Sequence, residues 1–218
     1  MLCCLKFNIY RQMFDTRQIY DIITVYKNSK VINMFEFIRL ACAVPDVEVG
    51  STVRNTEEII KYIELNKDAD VIVFPELSVT GYTCADLFFQ KTLLDGAKDG
   101  LKKIAECTAE CDSVVAVGAP VSIDGQLYNC AVVMSKGKAD GVAVKTFIPT
   151  YNEYYEKRWF GSAADLKSAS IRADELGLDG DYEIPVGNNL VFDYNGVKLG
   201  VELCEDLWAP LPPSTLLT

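Results

Sequence analysis

There is no histidine in this chain. Its absence excludes Ser-His-Asp and Cys-His catalysis, His-ligated zinc or haem, and any imidazole proton relay. A nucleophile here must be activated by a carboxylate, a lysine or water. Basic residues are also scarce. The 21 Lys and Arg against 31 Asp and Glu leave a net charge of −10, which argues against a nucleic-acid partner and suits a solvated surface. No apolar run reaches the roughly 18 residues of a membrane span, so no membrane partner is expected. A secretory core is missing too, because Lys6, Arg11, Asp15 and Arg17 interrupt the apolar start.

The chain that remains has 218 residues, half of them apolar, enough for one domain with a sizeable core. Its eight cysteines, in a chain without a secretory segment, read as reduced thiols of a cytoplasmic protein. Cys107 and Cys111 lie four apart on an expected helix, a spacing that could hold a metal. Two thiols alone make a poor zinc site, so the pair reads as structural and no metal is expected.

Residues 1–33 differ in pattern from the rest of the chain and are expected to be an extension outside the fold or a mis-assigned start. The folded domain is expected over 34–218, opening with a strand from Phe37 to Val44. A helix capped by Ser51 or Asn55 runs to about Asn66, and a strand from Ala69 to Phe74 comes next, apolar enough to be buried on both faces. A helix near 92–110 leads to strands at 113–118, 128–134 and 141–145, joined by turns at Asp124-Gly125 and Lys136-Gly137. The stretch 161–187 reads as irregular surface. Strands at 189–194 and 197–203 flank a turn at Asn195-Gly196. The alternation predicts an α/β fold with mixed sheets.

Three ionisable residues fall where strands end: Glu76, Lys145 and Cys204. The C-terminal edges of strands are where sites collect in open α/β sheets. A carboxylate can take a thiol proton, and an ammonium can favour first the thiolate and then an oxyanion. On spacing alone, Cys204 reads either as this nucleophile or as a buried structural cysteine.

Three stretches resemble, in order, the signatures of the nitrilase (carbon–nitrogen hydrolase) superfamily. They are Val73-Phe-Pro-Glu-Leu77, the run from Lys145 through Pro149 to Phe160, and Gly200-Val-Glu-Leu-Cys-Glu-Asp-Leu-Trp208. The segments 77–88, 128–130 and 154–160 narrow the resemblance to the glutaminase domains of glutamine-dependent NAD⁺ synthetases, from about Phe35 to Pro213.

The resemblance implies an α-β-β-α sandwich and a Glu-Lys-Cys triad that releases ammonia from L-glutamine through a thioester. Cys204 would be the nucleophile, Glu76 the general base and Lys145 the oxyanion partner. Tyr151 would contact glutamine, and Glu153 would be a second glutamate positioning substrate or the lysine. No cofactor is implied for this step. ATP and Mg²⁺ would serve only a synthetase domain, the expected partner, within a homo-oligomer. The family's section beyond the nucleophile would fall past Thr218, so an incomplete domain is expected. A stand-alone amidase acting on another small amide, and a non-catalytic fragment, are the alternatives. Tyr82, Trp159, Phe160 and Trp208 are expected to be packing residues. Lys157-Arg158 reads as a solvated pair or a partner contact. Glu205 and Asp206 read as pocket-shaping or helix-capping acids.

Overall fold

A computed structural model describes residues 5–9, 38–194 and 197–217. Strand β1 (Leu5–Ile9) comes first, then β2 (Leu40–Cys42), helix α1 (Thr52–Leu65), β3 (Val71–Val73) and α2 (Lys91–Thr108). Three longer strands come next, β4 (Val114–Ile123), β5 (Gln126–Ser135) and β6 (Lys138–Val144). The remaining strands are β7 (Ser170–Arg172), β8 (Glu183–Gly187), β9 (Val191–Tyr194) and β10 (Val197–Leu203). The turn expected at Asn195-Gly196 and the strand's start at Phe37 lie outside the described residues. No helix among the described residues is long and apolar enough to cross a membrane.

Seven strands form one sheet in the order β2-β3-β4-β5-β6-β8-β7, and β1-β10-β9 form a second. The large sheet is mixed: β2, β3 and β4 run parallel, β4 to β6 antiparallel, and β8 parallel to β6. Alternation along β3 and β4 explains the layering. Ile72, Phe74, Val115 and Val117 face Ile59, Ile63, Leu101 and Ile104 of the helices. Val71, Val73, Val114 and Ala116 face Leu199, Val201 and Leu203 of the small sheet. With both faces covered, the central strands must be apolar throughout, which is why they read as continuous hydrophobic runs. The described residues thus build helix, sheet and sheet layers of the expected sandwich.

Two expectations need correction. The stretch 161–187 is not all irregular, because β8 extends the large sheet and brings β7 with it. Its strand pattern escapes notice because Pro185 and Gly187 interrupt a run of only five residues. Nor is 1–33 wholly outside the fold, since Leu5–Ile9 pair antiparallel with Leu199–Leu203 of β10. The apolar–polar alternation of Leu5-Lys-Phe-Asn-Ile9 suits that pairing. The rest of 1–33 lies outside the described residues.

Candidate active site

Glu76 leaves the end of β3 on a tight turn, with Leu77 in the left-handed region at φ 52°. That turn presses on β4 at Gly118, where an added Cβ would stand 2.3 Å from the Leu77 nitrogen and 2.5 Å from the Pro75 oxygen. Only glycine permits this approach, and it seats Glu76 over the sheet at 3% exposure. Lys145 follows β6 directly. Its N–H donates to the Asn129 carbonyl at 3.0 Å, and its own carbonyl accepts from the Ala163 N–H at 2.9 Å.

The Lys145 ammonium is fully buried and held between two carboxylates. It donates to Glu76 Oε1 at 2.7 Å and to Glu156 Oε1 and Oε2 at 2.9 and 3.0 Å. Burial pulls its pKa down, but Glu76 and Glu156 outweigh that and hold it above the ordinary lysine value. The amide of Asn129 donates to Glu76 Oε1 at 2.6 Å and to Glu156 Oε2 at 3.3 Å, so it clamps the pair from β5. The Tyr82 hydroxyl donates to Glu156 Oε1 at 2.5 Å. Burial raises the Glu156 pKa, against the pull of Lys145. Glu76 Oε2 is buried and has no hydrogen-bond partner among the described residues.

Cys204 follows β10 directly, in the left-handed region at φ 46°, and opens a 3₁₀ turn over Cys204–Trp208. A non-glycine residue there is strained, and such strain is characteristic of a nucleophile presented at a strand-to-helix turn. The cysteine lies close enough to contribute to the Lys145 electrostatics. Of the three residues singled out at strand ends, Glu76 and Lys145 are in direct contact, and Cys204 lies near enough to bear on the lysine's charge. Tyr151 stands beside them, half exposed, with its hydroxyl donating to Glu205 Oε2 at 2.7 Å. That bond, with Glu205's charge, pushes the phenol up to about 12.

Glu153 is not brought to the lysine. It is exposed, and Glu156 is the second glutamate instead. The Glu156 N–H donates to the Pro149 carbonyl at 3.1 Å, folding the irregular segment back so that residue 156 points inward. Tyr82 packs as expected, against the cluster of Phe88, Trp159 and Phe160, and its hydroxyl serves the site as well, whereas Trp208 is 74% exposed rather than packed. Trp159 and Phe160 do pack, against Phe88. Arg158 forks onto Asp86 at 2.6 and 2.7 Å, and the Trp159 indole donates to the same carboxylate at 3.0 Å. The Arg158 bonds, then the indole, lower Asp86 to about 2. This pair is an internal tie between two loops.

Sequence reasoning misses Glu156 and Asn129 as site residues. Asn129, a polar residue at 0% exposure inside an apolar strand, carries a readable signal. Among the described residues, no group of three or more Cys, Asp or Glu is arranged to hold a metal.

A model of the carbon–nitrogen hydrolase family matches residues 43–216. The chain belongs to that family. Its relatives include proteins named glutamine-dependent NAD(+) synthetase. The one from Mycobacterium leprae is 33% identical over 183 residues, covering 82% of this chain and 26% of the relative. The one from Xanthomonas campestris is 34% identical over 178 residues, covering 80% and 28%. This chain therefore spans about a quarter of the length of these relatives. Among solved structures, a glutamine-dependent NAD(+) synthetase from Cytophaga hutchinsonii superposes with a TM-score of 0.60 at 27% identity, over 72% of this chain and 26% of that one. An amidase from Nesterenkonia sp. AN1 superposes at 0.53 over 73% and 54%, and at 13% identity it speaks to the carbon–nitrogen hydrolase fold alone.

Proposed function

We propose that this chain is the glutaminase part of a glutamine-dependent NAD⁺ synthetase, releasing ammonia from the side-chain amide of L-glutamine. The observation that carries the reading is the buried Glu76–Lys145–Glu156 cluster with Cys204 beside it and Glu76 Oε2 left without a partner among the described residues.

The chemistry runs in two halves. Glu76 Oε2 takes the Cys204 thiol proton, and the sulfur attacks the carboxamide carbon. The oxyanion forms against the Lys145 ammonium, whose raised pKa keeps it charged throughout, and against the backbone N–H following the nucleophile. Collapse breaks the C–N bond, the proton held by Glu76 passes to the leaving nitrogen, and ammonia departs. Glu76 then deprotonates a water that attacks the thioester carbon, and glutamate and the free thiol are restored. Glu156 neutralises and orients Lys145 without touching substrate. Tyr151 and Glu205, at the mouth, fit the zwitterionic end of glutamine. The step uses no cofactor, and ATP and Mg²⁺ belong to a synthetase domain that would take the ammonia. A cytoplasmic homo-oligomer is the assembly this reading calls for.

The test is ammonia release by this chain from L-glutamine and from a panel of small aliphatic amides. Glutamine is expected to be turned over in preference. Turnover of another amide without glutamine turnover would replace this reading with that of a stand-alone amidase. No turnover of any amide would leave a non-catalytic fragment.

A further inference from the structure

We infer that Asp206 is a positioning residue whose buried carboxylate sets the place of Cys204 relative to Lys145. The inference rests on the reading of those two residues as nucleophile and oxyanion partner. It answers a problem the topology creates. Cys204 follows β10, which hydrogen-bonds to β1 and β9, whereas Lys145 follows β6, which hydrogen-bonds to β5 and β8. The two catalytic strands lie in different sheets. Ladder bonds fix register within a sheet, whereas two stacked faces meet through apolar side chains that set no register to a fraction of an ångström.

Asp206 supplies a polar tie between them. It sits two residues after Cys204 in the same 3₁₀ turn and is 1% exposed. Its Oδ1 accepts from the Thr146 N–H at 3.0 Å and the Phe147 N–H at 2.7 Å, the two amides directly after Lys145. Oδ2 takes a longer share of Thr146 at 3.3 Å. The two amides that follow Lys145 thus converge on a side chain borne by the Cys204 turn. The β6 end of the tie is itself pinned, since Ser162 Oγ donates to the Thr146 carbonyl at 2.6 Å and Asn188 to Thr146 Oγ1 at 2.9 Å.

A simple helix-capping acid would face solvent and serve its own turn, and Asp206 does neither. Both carboxylate oxygens accept, and an amide NH₂ in place of Oδ2 would face the Thr146 N–H donor, so an asparagine, with one acceptor oxygen, cannot reproduce the arrangement. Stability separates the two roles. Burial raises Asp206 to about 6, against its backbone hydrogen bonds and against Lys145, the charged group facing it from β6. Cys204 and Glu205 are the titratable groups on its own turn. A raised acid stabilises the fold below its unfolded pKa and loses that contribution as pH rises through about 6. At neutral pH the charge therefore works against folding, so Asp206→Asn is expected to hold the unfolding midpoint while disturbing the site.

The experiment measures iodoacetamide labelling of each cysteine, peptide by peptide, in the full chain. Exposed Cys42 is the reference and fully buried Cys130 the reporter of unfolding. In the wild type, Cys204 is expected to label faster than Cys42. In Asp206→Asn that advantage should fall by at least about 10-fold, as expected for sub-ångström misplacement of a reacting group. Cys130 should stay protected, and kcat on glutamine should fall with KM little changed. An Asp206→Asn chain that keeps the wild-type labelling advantage overturns the inference. One in which Cys130 labels as fast as Cys42 has lost its fold, and the role is then structural. If wild-type Cys204 labels no faster than Cys42, the site reading itself fails, and the inference with it.

Discussion

Cys204→Ala is expected to abolish amide turnover, with a loss of at least about 10⁴-fold in kcat, at unchanged stability. The nucleophile has no substitute, because Cys204 is the one described cysteine that bears on the Lys145 charge. Cys204→Gly should be equally inactive but more stable. Residue 204 holds φ 46°, a conformation that costs a non-glycine residue ~1–2 kcal/mol. Glycine escapes that strain while losing ~0.5–1 kcal/mol to the entropy of its unfolded chain. The net gain over alanine is therefore at most about 1.5 kcal/mol and centred near ~0.75 kcal/mol, read as a shift in the urea midpoint. Equal stability of the two variants would mean that the backbone at 204 relaxes once the thiol is gone.

Lys145→Met is expected to lose turnover and, unlike Cys204→Ala, to lose stability as well. The ammonium is fully buried between Glu76 and Glu156. Methionine fills the lysine's unbranched apolar stem but leaves two carboxylates facing each other without a cation. Removing one partner from a buried ion pair costs ~3–5 kcal/mol. Glu156, whose pKa is already raised by burial, is placed to take up a proton and relieve the repulsion. The deficit should then shrink as pH falls, the reverse of ordinary acid denaturation. Urea midpoints of wild type and variant between pH 5 and pH 8, a window of about 3 units around neutrality, measure this. A deficit that does not depend on pH would show that the carboxylates are not coupled through Lys145.

These effects rest on residues of unequal legibility. Glu76, Lys145 and Cys204 can be read because each follows an apolar strand and lies in a long motif rich in rare residues. Glu156 cannot be told from Glu153 by pattern. Both lie in an irregular segment, and what turns 156 inward is a backbone bond to Pro149 and a left-handed Asn152 at φ 51°. Neither leaves a periodic trace in the sequence. Tyr82 reads as packing because a tyrosine ring and its hydroxyl can serve different neighbours. Here only the hydroxyl reaches the site. Asp206 is legible as a choice between two roles, and the contact to residues 146 and 147 that decides it joins segments far apart in the chain, at separations of 60 and 59. In the fold, β8 escapes the pattern because it is short and holds Pro185, which an interior strand rarely tolerates.

The central claim is that Cys204 forms a thioester with the substrate acyl group while Glu76 and Lys145 serve it. The most direct measurement is acid-quenched mass spectrometry of the wild type during turnover of L-glutamine, followed by peptide mapping. Acid protonates Glu76 and stops the activation of the hydrolytic water, so the acyl-enzyme present at the quench is kept. The account predicts a glutamyl adduct confined to the peptide that carries Cys204, and none in the Cys204→Ala variant. Ammonia release by the wild type with an adduct on another residue, or with Cys204→Ala equally labelled, would contradict it.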